Sequence, residues 1–208
     1  MSIMSITQKN SSSLFCKPVL SEEYLHQECF SLIHGTISFK SFNLLQHLSV
    51  MHEWVNMQYT TEFWQMSGSI GLFRSCYQCI LQNPDAHSFV GFYNDQMICQ
   101  FDVYRIAADE IAGHIEHSEN DCGFHLLMAP NKQPVHGLTN CVIAAFLNYY
   151  FFFPEAERMF AEPDINNIKS IRLLEDAGFK KLKTINMSYK TAHLYCIMRE
   201  DFLSQKNF

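Results

Sequence analysis

The stretch Arg158-Met159-Phe160-Ala161-Glu162-Pro163-Asp164-Ile165-Asn166-Asn167-Ile168-Lys169, continued through Leu173-Leu174 to Ala177-Gly178-Phe179, decides the fold. Residues 158–161 read as a short strand. Over 167–177, Ile168, Ile171, Leu174 and Ala177 recur at helical spacing, with Lys169, Arg172 and Asp176 off that stripe, which is the pattern of an amphipathic helix. Asn166 or Asn167 suits the start of that helix and Gly178 its end.

Working outward, the apolar residues of 138–152 form a strongly buried helix, entered from a loop at 131–137. Before the loop, Phe124 to Met128 read as a strand that Pro130 ends. Two further runs, 87–93 and 96–105, flank Asn94-Asp95, a hairpin turn signal. Residues 37–43 alternate apolar and polar as a half-buried strand does. Leu44, Leu48, Met51 and Val55 then give 44–56 a helical period, with further helix expected around Glu62-Phe63-Trp64 and over 69–82. Residues 106–120 look irregular, and 179–203 suit two more strands. Strand, helices, hairpin, strand, helix, strand, helix, strand, strand is the order of a mixed α/β sheet.

The bulk numbers agree with one domain. The chain has 208 residues, 48% hydrophobic and 17% charged, enough for one sizeable core. A formal net charge of -6 gives neither a basic footprint for nucleic acid nor a polybasic patch for a membrane surface. The polar, Ser-rich start has no export signal, so 1–20 read as a disordered lead-in, 21–208 as the domain, and the location as cytoplasmic. The longest apolar run, Cys141 to Phe153, is too short to cross a bilayer. The eight cysteines read as free thiols. Cys76 and Cys79 form one CxxC with no second ligand pair, and His114 and His117 sit in a polar, solvated stretch. No metal site is expected.

The segment Glu162-Pro163-Asp164-Ile165-Asn166-Asn167-Ile168-Lys169 with Ala177-Gly178-Phe179 resembles the GNAT acyltransferases of hydroxamate siderophore biosynthesis. The resemblance extends, in order, through Phe63-Trp64-Gln65-Met66, Asp121-Cys122-Gly123-Phe124-His125-Leu126-Leu127, Pro134-Val135-His136-Gly137-Leu138-Thr139, Lys190-Thr191-Ala192 and Arg199 to Phe202. It covers roughly residues 37–203. Asn166 stands where the group often has Arg, and of the general GNAT phosphate loop only Gly137 remains.

The resemblance implies a GNAT fold, with a central sheet splayed between its two central parallel strands and flanked by helices. It implies acyl-CoA as co-substrate, acetyl-CoA first among candidates, and no metal. The acceptor it implies is a small molecule bearing a hydroxylamine, such as an N-hydroxylated amino acid or diamine; a plain amine of the lysine or aminoglycoside type, or a coenzyme A-binding module without catalysis, are the other readings. A lone histidine in an apolar strand is ordinarily a packed core residue. The resemblance instead faces His125 with Asp164 across the splay as a catalytic pair, the carboxylate fixing the tautomer and raising the imidazole pKa. Without it, Asp164 reads as a turn residue or helix cap. For the coenzyme, the loop running into the helix at Leu138 is placed to use unpaired N–H groups on a pyrophosphate. Leu127, Met128, Lys132, His136, Gly137, Leu138 and Thr139 are its candidate contacts, with an ordinary strand-to-helix connector as the other reading. Asn167 is either a coenzyme contact or a cap. Trp64, which also suits core packing, and Asp102 and Tyr104, alternating on one strand, are candidates for the acceptor side.

Overall fold

A computed structural model describes residues 23–64, 66–130 and 134–205. Eight strands, β1 (His26–Phe30), β2 (Gly35–Ser41), β3 (Ala86–Tyr93), β4 (Gln96–Arg105), β5 (Cys122–Met128), β6 (Arg158–Ala161), β7 (Lys180–Asn186) and β8 (Thr191–Met198), form one sheet in the order β1-β2-β3-β4-β5-β6-β8-β7. Its helices are α1 (Leu44–Val55), α2 (Gln58–Thr61), α3 (Ile70–Gln82), α4 (Leu138–Tyr150), α5 (Ile168–Asp176) and α6 (Arg199–Gln205). Every strand pair is antiparallel except β5–β6.

That parallel pair is short. It joins Cys122 to Met159 and Gly123 to Phe160 and goes no further. The N–H of Ala129 donates to the Ile98 carbonyl at 2.7 Å, and that of Ile106 to the Asp121 carbonyl at 2.9 Å. With Met128 opposite Cys99 and Cys122 opposite Arg105, these bonds turn the backbone groups of the even-numbered β5 residues away from β4. Cys122 meets β6. Leu126 and Met128 look into the gap where β6 has left, so the splayed sheet offers an open strand edge in its middle.

Each face of the sheet is covered. Phe39, Phe89, Phe101 and Phe124 pack under α4, where the Phe146 ring stacks on Phe101 at 3.9 Å between centroids. On the opposite face Phe42, Val90 and Leu127 pack with Trp54, Phe73 and Tyr77 from α1 and α3. A third cluster, with Ile106, Ile111, Phe160, Ile185 and Leu194, lies over β6–β8. The β3–β4 hairpin turns at Asn94 and Asp95, with φ of 46° and 66°, the left-handed pair that matches strand twist.

The sequence expectations fail at four places. β1 went unseen because its inward residues are polar: His26 and Glu28 are buried, and Asn148 of α4 donates to Glu28 Oε2 at 2.6 Å. The helix expected at 62–64 lies instead at Gln58–Thr61, and Glu62 and Phe63 form a turn. The end of the chain after Met198 is helical, with Glu200 and Asp201 in its first turn, where they favour the helix dipole. The 106–120 stretch contains two short 3-10 segments, Ile106–Ala108 and Glu110–Gly113. No helix among the described residues is long and apolar enough to cross a membrane.

Candidate active site

Strand alternation puts Gln100, Asp102 and Tyr104 of β4 on one face, with Gly123, His125 and Leu127 opposite them on β5. His125 thus stands at the edge of the gap, beyond the last β5–β6 pair, with its side chain 40% exposed. Its Nε2 lies 2.7 Å from Glu162 Oε1. Glu162 follows β6 directly, and its side chain is 1% exposed. The Tyr104 hydroxyl donates to the other carboxylate oxygen, Oε2, at 2.7 Å. Gly123 makes room for this: a Cβ there would sit 2.4 Å from the Tyr104 ring. Lys190, in the turn between β7 and β8, donates from Nζ to the Glu162 carbonyl at 2.6 Å and approaches Oε1 at 3.3 Å.

These partners fix the protonation states. Burial works against a charged Glu162, but His125, Lys190 and Tyr104 outweigh it and hold the carboxyl at about 2. A carboxylate has no proton to give, so His125 donates from Nε2 and keeps the lone pair on Nδ1. Burial lowers the imidazole pKa, yet Glu162, by charge and hydrogen bond, raises it further than burial and Lys190 bring it down, for a net rise above 6.5. Burial and the neighbouring Glu162 charge push the Tyr104 phenol well above its ordinary value. Tyr104 therefore serves as a fixed donor to Glu162, while His125 is the group that can take up and release a proton.

Asp164, the partner expected for His125, is engaged elsewhere. β6 ends at Ala161 and the chain turns at Pro163, so the strand alternation that would have carried Asp164 toward His125 is broken. Its carboxylate accepts from the Asn166 N–H at 2.8 Å and the Asn166 side-chain amide at 3.0 Å, forming a turn of the Asx type ahead of α5. Glu162, two residues earlier, takes the place beside the imidazole. Sequence reading missed Glu162 and Lys190, although Glu162 directly follows a strand with three buried residues.

Toward the coenzyme side, the Met128 carbonyl on the open edge accepts from the Tyr59 hydroxyl at 2.8 Å, a contact no motif foretold. The Leu127 side chain belongs to the core under α1 and α3. Gly137 is the N-cap of α4 with φ of 74°, a backbone conformation that favours glycine, and no side chain among the described residues caps that helix start. Thr139 lies in the first turn and His136 is exposed beside it. The Leu138 side chain is buried in the core and its N–H donates to Val135, so neither is available to a ligand. Lys132 lies outside the described residues. Asn167 is the cap of α5, accepting from the Ser170 N–H at 3.2 Å. Among the described residues, a helix start without a side-chain cap and the Leu126 backbone turned into the gap fit a ligand with a pyrophosphate at one end and amides along its arm.

On the acceptor side, the Trp64 ring stands edge-on to His125 at 6.0 Å and Tyr104 lies tilted at 5.0 Å. Asp102, opposite His125, is buried and accepts from the Tyr77 hydroxyl at 3.0 Å. Burial raises its pKa. Trp64 Nε1 and Asp102 Oδ1 are both buried without a hydrogen-bond partner among the described residues. No group of three metal-ligating side chains gathers among the described residues, and Cys76 and Cys79 carry free thiols on the surface of α3.

Comparison with known proteins agrees with the fold. A Schizosaccharomyces pombe protein provisionally named a lysine N-acyltransferase is 33% identical, over 86% of this chain and 54% of its own length. An N(6)-hydroxylysine O-acetyltransferase of Escherichia coli is 22% identical, over 83% of this chain and 55% of its own. An N-hydroxyputrescine acetyltransferase of Acinetobacter baumannii is also 22% identical, over 78% and 77%. The chain spans about half the length of the first two relatives. Among solved structures, an uncharacterised Bacillus halodurans protein superposes with a TM-score of 0.82 at 22% identity, covering 87% of this chain and 93% of that one. An aminoglycoside acetyltransferase in complex with coenzyme A gives 0.74 at 20%, covering 82% and 99%. The model of the acetyltransferase (GNAT) domain matches residues 43–187, and with a sheet that splays after one short parallel pair, this chain belongs to the GNAT acetyltransferase family.

Proposed function

We propose that this chain is an acyl-CoA-dependent N-acyltransferase whose acceptor is a hydroxylamine-bearing amino acid or diamine of hydroxamate siderophore assembly. The observation that carries the chemistry is the His125 Nε2–Glu162 Oε1 contact of 2.7 Å at the mouth of the open sheet. Bound acyl-CoA supplies an acyl group activated as a thioester. The uncapped start of α4 at Gly137 and Thr139 holds its phosphates, and the backbone of Leu126 and Met128 holds its arm. The Leu126 N–H, turned into the gap, is a donor for the acyl oxygen as negative charge develops there. His125 Nδ1 takes the proton that the attacking nitrogen loses and returns it to the departing thiolate, so the products are a hydroxamate and free coenzyme A. Glu162 holds the imidazole by its Nε2–H throughout. Asp164 shapes the turn below the cleft.

A hydroxylamine is far less basic than a lysine amine, whose pKa is about 10.4, so it arrives unprotonated and asks less of His125. Relatives from Escherichia coli and Acinetobacter baumannii that are named for hydroxylated amines support this acceptor class. The chain with acetyl-CoA and N-hydroxylysine or N-hydroxyputrescine releases thiol, measured with a disulfide dye, and yields a hydroxamate that colours with ferric iron. No release with any hydroxylated acceptor refutes the acceptor class. A plain amine such as lysine is the second reading, favoured by the Schizosaccharomyces pombe relative. Faster thiol release with lysine than with N-hydroxylysine decides for it.

A further inference from the structure

His125 and Glu162 share their site with a cation that helps to keep Glu162 ionised but has no assigned effect on the base. Lys190 has its side chain 16% exposed, against 68% for Lys180 in the surface pair with Asp201. Its Nζ is held between the Glu162 carbonyl at 2.6 Å, Glu162 Oε1 at 3.3 Å and the Tyr189 ring at 5.3 Å. A partly buried ammonium loses hydration, and what it gains here is one carboxylate. That same carboxylate oxygen, Oε1, is the one bonded to His125.

We infer that Lys190 is a positioning residue for the base: its ammonium neutralises the carboxylate that His125 faces, so that the imidazole stays uncharged and able to take a proton. The inference rests on the reading of His125 as that base. The groups facing His125 make the need plain. β4 presents Asp102 and Tyr104, the junction of the two 3-10 segments after it Asp109, the end of β6 Glu162, and the β7–β8 turn Lys190. Three of these are carboxyl groups, and Lys190 is the cation among them. With an unopposed Glu162 the imidazole would hold its proton to higher pH and be blocked as a base over more of the neutral range. The direction of the Lys190 influence on His125, downward against the upward pull of Glu162, agrees.

A structural role is the alternative, because Lys190 also ties the turn to the Glu162 backbone. Three variants separate the two. Lys190→Gln keeps a donor for the Glu162 carbonyl and removes the charge, Lys190→Met removes both, and Lys190→Arg keeps both. The readout is the titration of the His125 ring by NMR, assigned from the signal lost in His125→Asn, alongside the pH profile of kcat/KM. The inference expects the His125 midpoint, and the acid limb with it, to rise by about one pH unit in the Gln and Met variants, and to return to the wild-type value in the Arg variant. Unchanged midpoints in both, or a shift in Met alone, overturn it and leave Lys190 an anchor. Wild-type transfer by His125→Asn overturns the base reading instead, and the ring titration still reports whether Lys190 sets the charge balance.

Discussion

At Glu162 three donors converge on one buried carboxylate: the His125 ring, the Tyr104 hydroxyl and the Lys190 ammonium. Glu162→Gln removes the charge at constant size. It leaves His125 free to adopt either tautomer and removes the field that raises its pKa. kcat/KM should fall by about 10- to 100-fold, and the acid limb, set in the wild type above 6.5 by the raised imidazole, should move to lower pH. Activity survives below the wild-type limb only if the neutral ring is the working form. Stability follows the opposite sign. A carboxyl lowered from 4.5 to about 2 on folding stabilises the fold fully above about 4.5 and loses that contribution as pH falls through about 2. The gap in unfolding free energy between wild type and Glu162→Gln should therefore be widest between about pH 4.5 and the titration of His125, on the order of 3 kcal/mol, and close toward pH 2. A constant gap across that range, followed by calorimetry, rules out the coupling. At this scale the family resemblance exposed His125, since an imidazole in an apolar strand is by itself ordinarily a packed core residue. The sequence hid the partner, since Asp164 and Glu162 sit two residues apart and only the turn at Pro163 decides which carboxylate faces the cleft.

Elements that carry their pattern in apolar side chains were legible, and those that carry it in polar ones were not. The span of α5 and the Asn94-Asp95 turn between β3 and β4 lie where they were expected, although of the α5 stripe Leu174 is buried, Ile171 and Ala177 are partly covered and Ile168, at the helix start, is 51% exposed. β1 was missed because the residues it buries, His26 and Glu28, are polar, and Glu28 is satisfied by a distant partner, Asn148 on α4. No local window contains that partner. The β4–β5 pair depends on a subtler match, the absence of a side chain at Gly123 opposite Tyr104. Gly123→Ala would drive a methyl to 2.4 Å from the Tyr104 ring. The ring must swing away, and its hydroxyl leaves Glu162. We expect about 1–3 kcal/mol of lost stability by denaturant titration, as overpacking typically costs. We also expect a loss of kcat/KM matching that of Tyr104→Phe. The double variant should lose no more activity than either single one, because both act through the same hydrogen bond. Additive losses would mean that Gly123 matters for some other reason.

For the molecule as a whole, the defining property is a sheet that is continuous in order and divided in bonding. Five strands on one side and three on the other are joined by two residue pairs, Cys122–Met159 and Gly123–Phe160. Beyond them, α4 and α5 hold the halves together through the core under Phe146 and Leu174. The division has a signature in alternate residues. Amides of His125 and Leu127 bond to β4, while those of Leu126 and Met128 face the gap. In native-state hydrogen exchange, the even pair should exchange about a hundredfold faster than Leu127 or more, although all four residues lie on one central strand. Coenzyme A should slow Leu126 and Met128 selectively. The Tyr59 hydroxyl now on the Met128 carbonyl competes for the same edge, so Tyr59→Phe should tighten coenzyme binding while leaving the odd-numbered amides unchanged. Uniform protection from 125 to 128 would mean that the gap is closed in solution. Slowing by coenzyme A at the odd residues rather than the even ones would mean that the ligand lies elsewhere, and the catalytic reading of His125 would lose its acyl donor.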